Sequence, residues 1–199
     1  LDRKRISHSD LYKIEPALKN KKFEGIYYTD SDFTGDIHKF CIELYKVLKK
    51  KYKVKYYQYK VDNLNEINSN YDRVLVCAGI SSRDLSKTIG ESLPIYPVKG
   101  YSITLNNPGK NAPWVSLLDD SKKIVCSRLG NNRLRVAGTA EFNGYNLDII
   151  QDRIRPLIKW ASDLFGDINT EDIKPWAGLR PMTPSMMPIV RKSKIEKIW

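Results

Sequence analysis

"PIYPVKGYSITL", residues 94–105, is the stretch that decides the fold. Before it the chain mixes helix-like and strand-like segments. From it onward β-branched and aromatic residues dominate, the composition of strands. "WVSLLDD" (114–120), "KKIVCSRLG" (122–130) and "RLRVAGTAEF" (133–142) follow at short intervals, separated by the turn formers "NNPGKNAP", "DDSK" and "GNN". These runs predict an antiparallel meander with strands at 94–105, 113–119, 122–128 and 133–139. After the meander, Leu147, Ile150, Ile154, Leu157, Ile158, Ala161, Leu164 and Phe165 trace one apolar stripe of helical period, closed by Gly166. A helix over 147–165 that buries this stripe on or beside the sheet is the expectation.

Working back toward the N-terminus, "RVLVCAG" (73–79) is a continuous apolar run ending in glycine, the pattern of a buried strand in an α/β layer. "SSRDLSKTIGESLP" then predicts a short helix that stops near Gly90. "YKVKYYQYKV" (52–61) alternates and is rich in β-formers, so it predicts another strand. Ile37, Phe40, Cys41, Leu44, Val47 and Leu48 form a helical stripe. Asp36 stands where a carboxylate caps the helix start, and Lys49, Lys50 and Lys51 stand where cations suit its end. "FEGIYYTD" (23–30) predicts a short strand. "KPWAGLRPMTPSMMPIV" (174–190), with four prolines, reads as neither helix nor ordinary strand. The fold class is α+β: an antiparallel sheet with a covering helix, joined to part of an α/β layer. The predicted divisions are 1–92, 93–170 and 171–199.

Composition narrows the function. A chain of 199 residues with 41% apolar and 11% aromatic residues can build a sizeable core. No apolar run is long enough to span a bilayer, and "LDRKRISHSD" at the start lacks the apolar stretch of a signal peptide. Cys41, Cys77 and Cys126 are far apart and form no C-x-x-C pair, which predicts three buried thiols in a reducing compartment. With only His8 and His38 beside them, no metal-ligand spacing exists and no metal is expected. The net charge of +11 invites a polyanion or an anionic membrane surface. No nucleic-acid-binding signature accompanies it, so no specific nucleic acid is expected.

Five segments occur in a particular order: "TGDIHKFCIEL", "DRVLVCAGISSRDL", "LPIYPVKGYSITL", "RLRVAGTAEFNGYN" and "WAGLRPMTPSMMPIV". In that order they resemble the small subunit of bacterial FAD-dependent D-amino-acid dehydrogenases, within the D-amino-acid oxidase-like flavoproteins. The resemblance covers roughly residues 8–199. It implies a substrate domain over 93–170, part of an FAD-binding domain over 1–92, and a return segment toward that domain over 171–199. It implies FAD as cofactor, a D-amino acid as substrate, and oxidative deamination to a 2-oxo acid and ammonia. No G-x-G-x-x-G occurs in the 199 residues. The expectation is therefore a piece of a longer protein that lacks the pyrophosphate loop and the final flavin-side segment. Such a piece would not retain FAD alone and would be completed by a complementary FAD-binding half. Its predicted location is cytoplasmic, peripheral to the inner membrane. A glycine- or sarcosine-type flavin oxidase, and a non-catalytic remnant that binds anionic surfaces, stay open as alternatives.

The resemblance also places the site. Arg180 in "GLRP" matches the arginine expected to hold the substrate carboxylate, a role suited to its planar two-pronged fork. Val61, Ala78 and Gly79 match positions that approach FAD. No side chain is assigned to the chemical step, because flavin amine oxidation needs orientation rather than a protein base. Tyr101 is expected either to line the substrate cavity or to pack in the core, and His38 to be structural. Where the family has an acidic residue and a glycine, this chain has Ser185 and Met186, which predicts an altered loop after Pro184.

Overall fold

The computed structural model describes residues 2–68 and 70–199. In chain order the elements are β1 (Arg3–Arg5), α1 (His8–Ile14), β2 (Tyr27–Thr29), α2 (Ile37–Lys51), α3 (Asn65–Asn68), α4 (Ser82–Lys87), β3 (Tyr96–Asn106), β4 (Leu117–Asp119), β5 (Ile124–Arg128), β6 (Arg133–Phe142), α5 (Gln151–Phe165) and β7 (Ile173–Met182). Two compact units result. The first holds residues 1–54, 101–139 and 148–177, and the second holds 55–100, 140–147 and 178–199. A five-stranded sheet has the order β4-β5-β6-β3-β7, and β1 pairs with β2 in a small antiparallel ribbon.

β4, β5 and β6 form the predicted meander in order, but β4 starts only at Leu117, and β3, expected beside β4, lies beyond β6 instead. β4 pairs antiparallel with β5, Leu117 opposite Cys126, and β5 pairs antiparallel with β6, Val125 opposite Ala137. The alternation along β6 sends Leu134 and Val136 inward and Arg133 and Arg135 outward. In the first unit these residues join Tyr101, Ile103 and Leu105 of β3 and Cys126 of β5. Against them pack Ile154, Leu157, Trp160, Ala161 and Phe165 of α5. Burial of each such side chain is worth about 1.5–3 kcal/mol. α5 begins at Gln151, so Leu147 and Ile150 of the predicted stripe lie outside it and are exposed. Trp160, absent from the predicted stripe, is buried instead and donates from Nε1 to Asp119 at 2.9 Å. Glu15 is also fully buried, its carboxylate accepting the N–H groups of Ala17, Trp114 and Val115.

The cap of α2 is as predicted: Asp36 accepts the Lys39 N–H at 3.1 Å and pairs with Arg133 at 2.7 Å. Its carboxyl lies below the usual range, chiefly through the Lys39 N–H and then the Arg133 guanidinium. The apolar stripe of α2, however, is uncovered: none of its residues is buried, and Phe40, Leu44 and Val47 face solvent.

Three expectations about strands are corrected. Residues 52–61 form no strand, and 73–79 contribute only one bridge, Val74 to Ile198 in parallel. An extended segment becomes a strand only when neighbours complete its hydrogen bonds. Here Val74 and Val76 donate to Lys197 and Trp199, and the rest of 73–79 has no ladder partner among the described residues. Leu75, predicted buried, is 70% exposed. The third correction concerns 174–190, whose first nine residues belong to β7. β7 is an edge strand. An edge tolerates Pro175 and Pro181, because a strand there need not donate on both sides.

Candidate functional site

The second unit carries every residue that the sequence assigned to the site. Arg180 lies near the end of β7 and is exposed. Its guanidinium lies over Gly100 of β3: a Cβ built on Gly100 would fall inside contact distance of Cζ, Nη1 and Nη2 at once. Ala78 and Gly79 end the apolar run ahead of α4. Gly79 has φ +58°, with open space where a side chain would project, so another group can close on its backbone. The Ala78 N–H is held by the Ser82 hydroxyl at 3.2 Å. Val61 is half-buried in the extended segment before α3.

A cleft of about 530 Å³ lies in this unit, with Gly79 on its border. Val76, Ile89, Ile198 and all three methionines of the chain, Met182, Met186 and Met187, supply apolar walls. Glu91 and Arg191 are its charged pair, 3.1 Å apart. Glu91 also accepts the Ser193 hydroxyl at 2.6 Å and the Lys194 N–H. These two hydrogen bonds, and then the Arg191 charge, hold its carboxyl below the usual range. Glu91 thus braces residues 191–194.

Lys99 was not foreseen as special, and it is 0% exposed. Its ammonium lies 3.1 Å from Glu141 and donates to Asn146 at 3.0 Å. A buried ammonium is tolerated only with such compensation. Nearby in sequence, Tyr145 donates to Asp84 at 2.9 Å. That bond pushes the Tyr145 hydroxyl up, while the Lys87 ammonium and then the Tyr145 hydroxyl hold Asp84 down.

Other candidates fall outside the site. Tyr101 is a core residue of the first unit. His38 is exposed on α2, and His8 accepts the Phe23 N–H at 3.0 Å and stacks on its ring. Burial pushes the Cys126 thiol up to about 12, which makes it inert near neutral pH, whereas Cys41 on the uncovered α2 and Cys77, both predicted buried, are exposed. Among the described residues no group of His, Cys, Asp or Glu could hold a metal ion, and no helix is long and apolar enough to cross a membrane.

A meander sheet under one helix in the first unit, and in the second an arginine on an edge strand and a glycine turn bordering an apolar cleft, make an α+β architecture. Residues 1–199 match the family described as FAD dependent oxidoreductase (DAO), and the chain belongs to that family. Two curated relatives are named D-amino acid dehydrogenases. The one from Mesorhizobium japonicum is 48% identical over 217 residues, covering 100% of this chain and 52% of its own length. The one from Dechloromonas aromatica is 37% identical over 220 residues, with the same coverage of 100% and 52%. The chain thus spans about half the length of the curated relatives it matches. Among solved structures, glycine oxidase from Geobacillus kaustophilus overlays 98% of this chain and 55% of its own at a TM-score of 0.80 and 18% identity, a likeness of fold.

The residues present fit part of an FAD. Gly79 offers its open backbone, and apolar walls of the kind that receive a ring line the adjoining cleft. No glycine-rich pyrophosphate turn occurs within the 199 residues.

Proposed function

We propose that this chain is the carboxylate-binding portion of a flavin-dependent D-amino acid dehydrogenase. The observation that carries the reading is Arg180, seated on Gly100 in the same unit as the open Gly79 turn. The 48% and 37% identities to proteins named D-amino acid dehydrogenase support it over a glycine- or sarcosine-type oxidase. The oxidase likeness stands at 18% identity and speaks to fold alone.

The division of labour follows. Residues 93–170 supply the substrate domain, and 1–92 with 171–199 supply its FAD-side elements. Ala78 and Gly79 meet FAD through backbone, and Val61 meets its adenine end. Arg180 pairs with the substrate carboxylate through two parallel hydrogen bonds, which fixes the α-carbon and aims its hydrogen. A bound FAD would supply the hydride acceptor for that carbon. The amino group loses a proton to solvent, and water converts the imino acid to a 2-oxo acid and ammonia. A complementary half carrying the pyrophosphate loop completes the site. The surplus of positive charge favours an anionic membrane surface, so the protein acts from the cytoplasm, peripheral to the inner membrane. Salt-sensitive sedimentation with anionic but not neutral vesicles tests that last point.

The test of function is steady-state turnover of D-alanine with an artificial acceptor, on enzyme that contains this chain and bound flavin. Losing a charge-assisted pair in a partly desolvated site costs roughly 2–5 kcal/mol, or about 30- to 4,000-fold. Arg180→Leu should lose that much in kcat/KM with flavin content unchanged. Arg180→Lys should recover part of it, because a point charge does not reproduce the fork. Normal kcat/KM in Arg180→Leu would end the reading.

A further inference from the structure

The approach of Arg180 to Gly100 has a direction. A Cβ on Gly100 would stand at nearly equal distances from Cζ, Nη1 and Nη2. Equal distances from three atoms of a planar group place that point off the plane, on the axis that passes between the two terminal nitrogens. The guanidinium therefore presents its flat face to the Gly100 Cα, and its N–H groups, which lie in the plane, project parallel to that surface. Gly100 is buried in β3, and its backbone is not in the left-handed region. A side chain is conformationally acceptable there; what excludes one is the arginine head. The preceding residue, Lys99, is tied to Glu141 at 3.1 Å, which fixes this part of β3.

We propose that Gly100 is a positioning residue: its missing side chain is the seat on which the Arg180 fork lies, and it sets the plane in which a carboxylate is received. The inference rests on the reading of Arg180 given above. Its chemistry is specific. A flat guanidinium needs a flat support of glycine depth, whereas a lysine ammonium, roughly spherical, does not. Adding one methyl at position 100 lifts or tilts the fork while leaving the strand intact, since the clashing group is the far end of a flexible side chain.

The experiment uses enzyme that contains this chain and bound flavin, and has two readouts. The first is the Arg180 side-chain Nε–Hε NMR signal, assigned by its loss in Arg180→Leu. The second is binding of benzoate as a simple carboxylate probe. Gly100→Ala should unfold at the wild-type temperature, shift the Arg180 signal and weaken benzoate by about 10- to 100-fold, the scale of a misplacement near 1 Å. In the Arg180→Lys background the same methyl should cost little, a non-additivity expected of groups in contact. Wild-type benzoate affinity in Gly100→Ala, with binding lost in Arg180→Leu, would overturn the seat and leave the carboxylate role of Arg180 standing. An equal penalty in the arginine and lysine backgrounds would also overturn it, by showing that the methyl disturbs β3 itself. Unchanged benzoate binding in Arg180→Leu would instead remove the carboxylate role, and the seat's purpose with it.

Discussion

At Met186 the backbone has φ +59°, a conformation that glycine adopts freely and a long side chain does not. The resemblance puts a glycine at this position, and the loop keeps the glycine-like turn with methionine in it. The left-handed conformation costs a non-glycine residue about 1–2 kcal/mol, and glycine's extra entropy in the unfolded chain offsets about 0.5–1 kcal/mol of the relief. Met186 is 73% exposed, so little packing is lost with it. Met186→Gly should therefore raise stability by up to about 1 kcal/mol, seen as a higher denaturant midpoint at unchanged slope; a lower midpoint would mean that the side chain holds the loop. Single residues differ in how far the sequence exposes them. Arg180 stands out in the sequence because a motif surrounds it. Gly100 was visible only as the glycine of "KGYS"; that its Cα supports an arginine on another strand is a fact of strand adjacency, which no local pattern encodes. Lys99 was misleading, since a lysine reads as solvated and its partners Glu141 and Asn146 lie far along the chain.

Two helices with similar stripes have opposite fates, and that defines what elements owe to their neighbours. α5 buries Ile154, Leu157, Trp160, Ala161 and Phe165, whereas α2 buries none. Periodicity of 3.6 states which face a helix would bury; it does not state that a partner is present. The same holds for "RVLVCAG", whose apolar run is that of a central strand, while among the described residues only one neighbour reaches it, through the Val74–Ile198 bridge. The prolines of β7 err the other way. They argue against a strand in general but not against an edge, and edge position is a property of the sheet. Substitution separates the two helices. Leu157→Ala, fully buried against the sheet, should cost about 2–5 kcal/mol. Phe40→Ala on α2 should change the stability of this chain by no more than about 0.5 kcal/mol. Equal losses in chemical denaturation would show that α2 is covered in solution. A loss at Phe40 that appears only after a complementary half is added would locate that half on the helix.

For the whole molecule the decisive quantity is how much of FAD one chain can hold. Belonging to an FAD dependent oxidoreductase family makes flavin the expected cofactor, yet the chain spans about half the length of its curated relatives. Flavin dinucleotide has two demands. Its ring needs an apolar wall with close backbone approach, which Gly79 and the methionine-lined cleft can offer. Its pyrophosphate needs backbone N–H groups at a helix start behind a glycine-rich turn, where the helix dipole favours negative charge. The 199 residues contain no G-x-G-x-x-G, so the second demand is unmet within them. Overall positive charge does not replace it: surface lysines attract a dianion at long range, but salt screens them over about 8 Å at physiological ionic strength. The purified chain should accordingly be colourless. Titrated with FAD, it should show weak binding that fades with added salt and no stoichiometric visible absorbance. Co-expression with a dinucleotide-binding half should turn the preparation yellow, and Arg180→Leu should leave that colour unchanged, because the proposed role of Arg180 is toward substrate, not flavin. A yellow, stoichiometric preparation of this chain alone would show that the ring-side residues suffice.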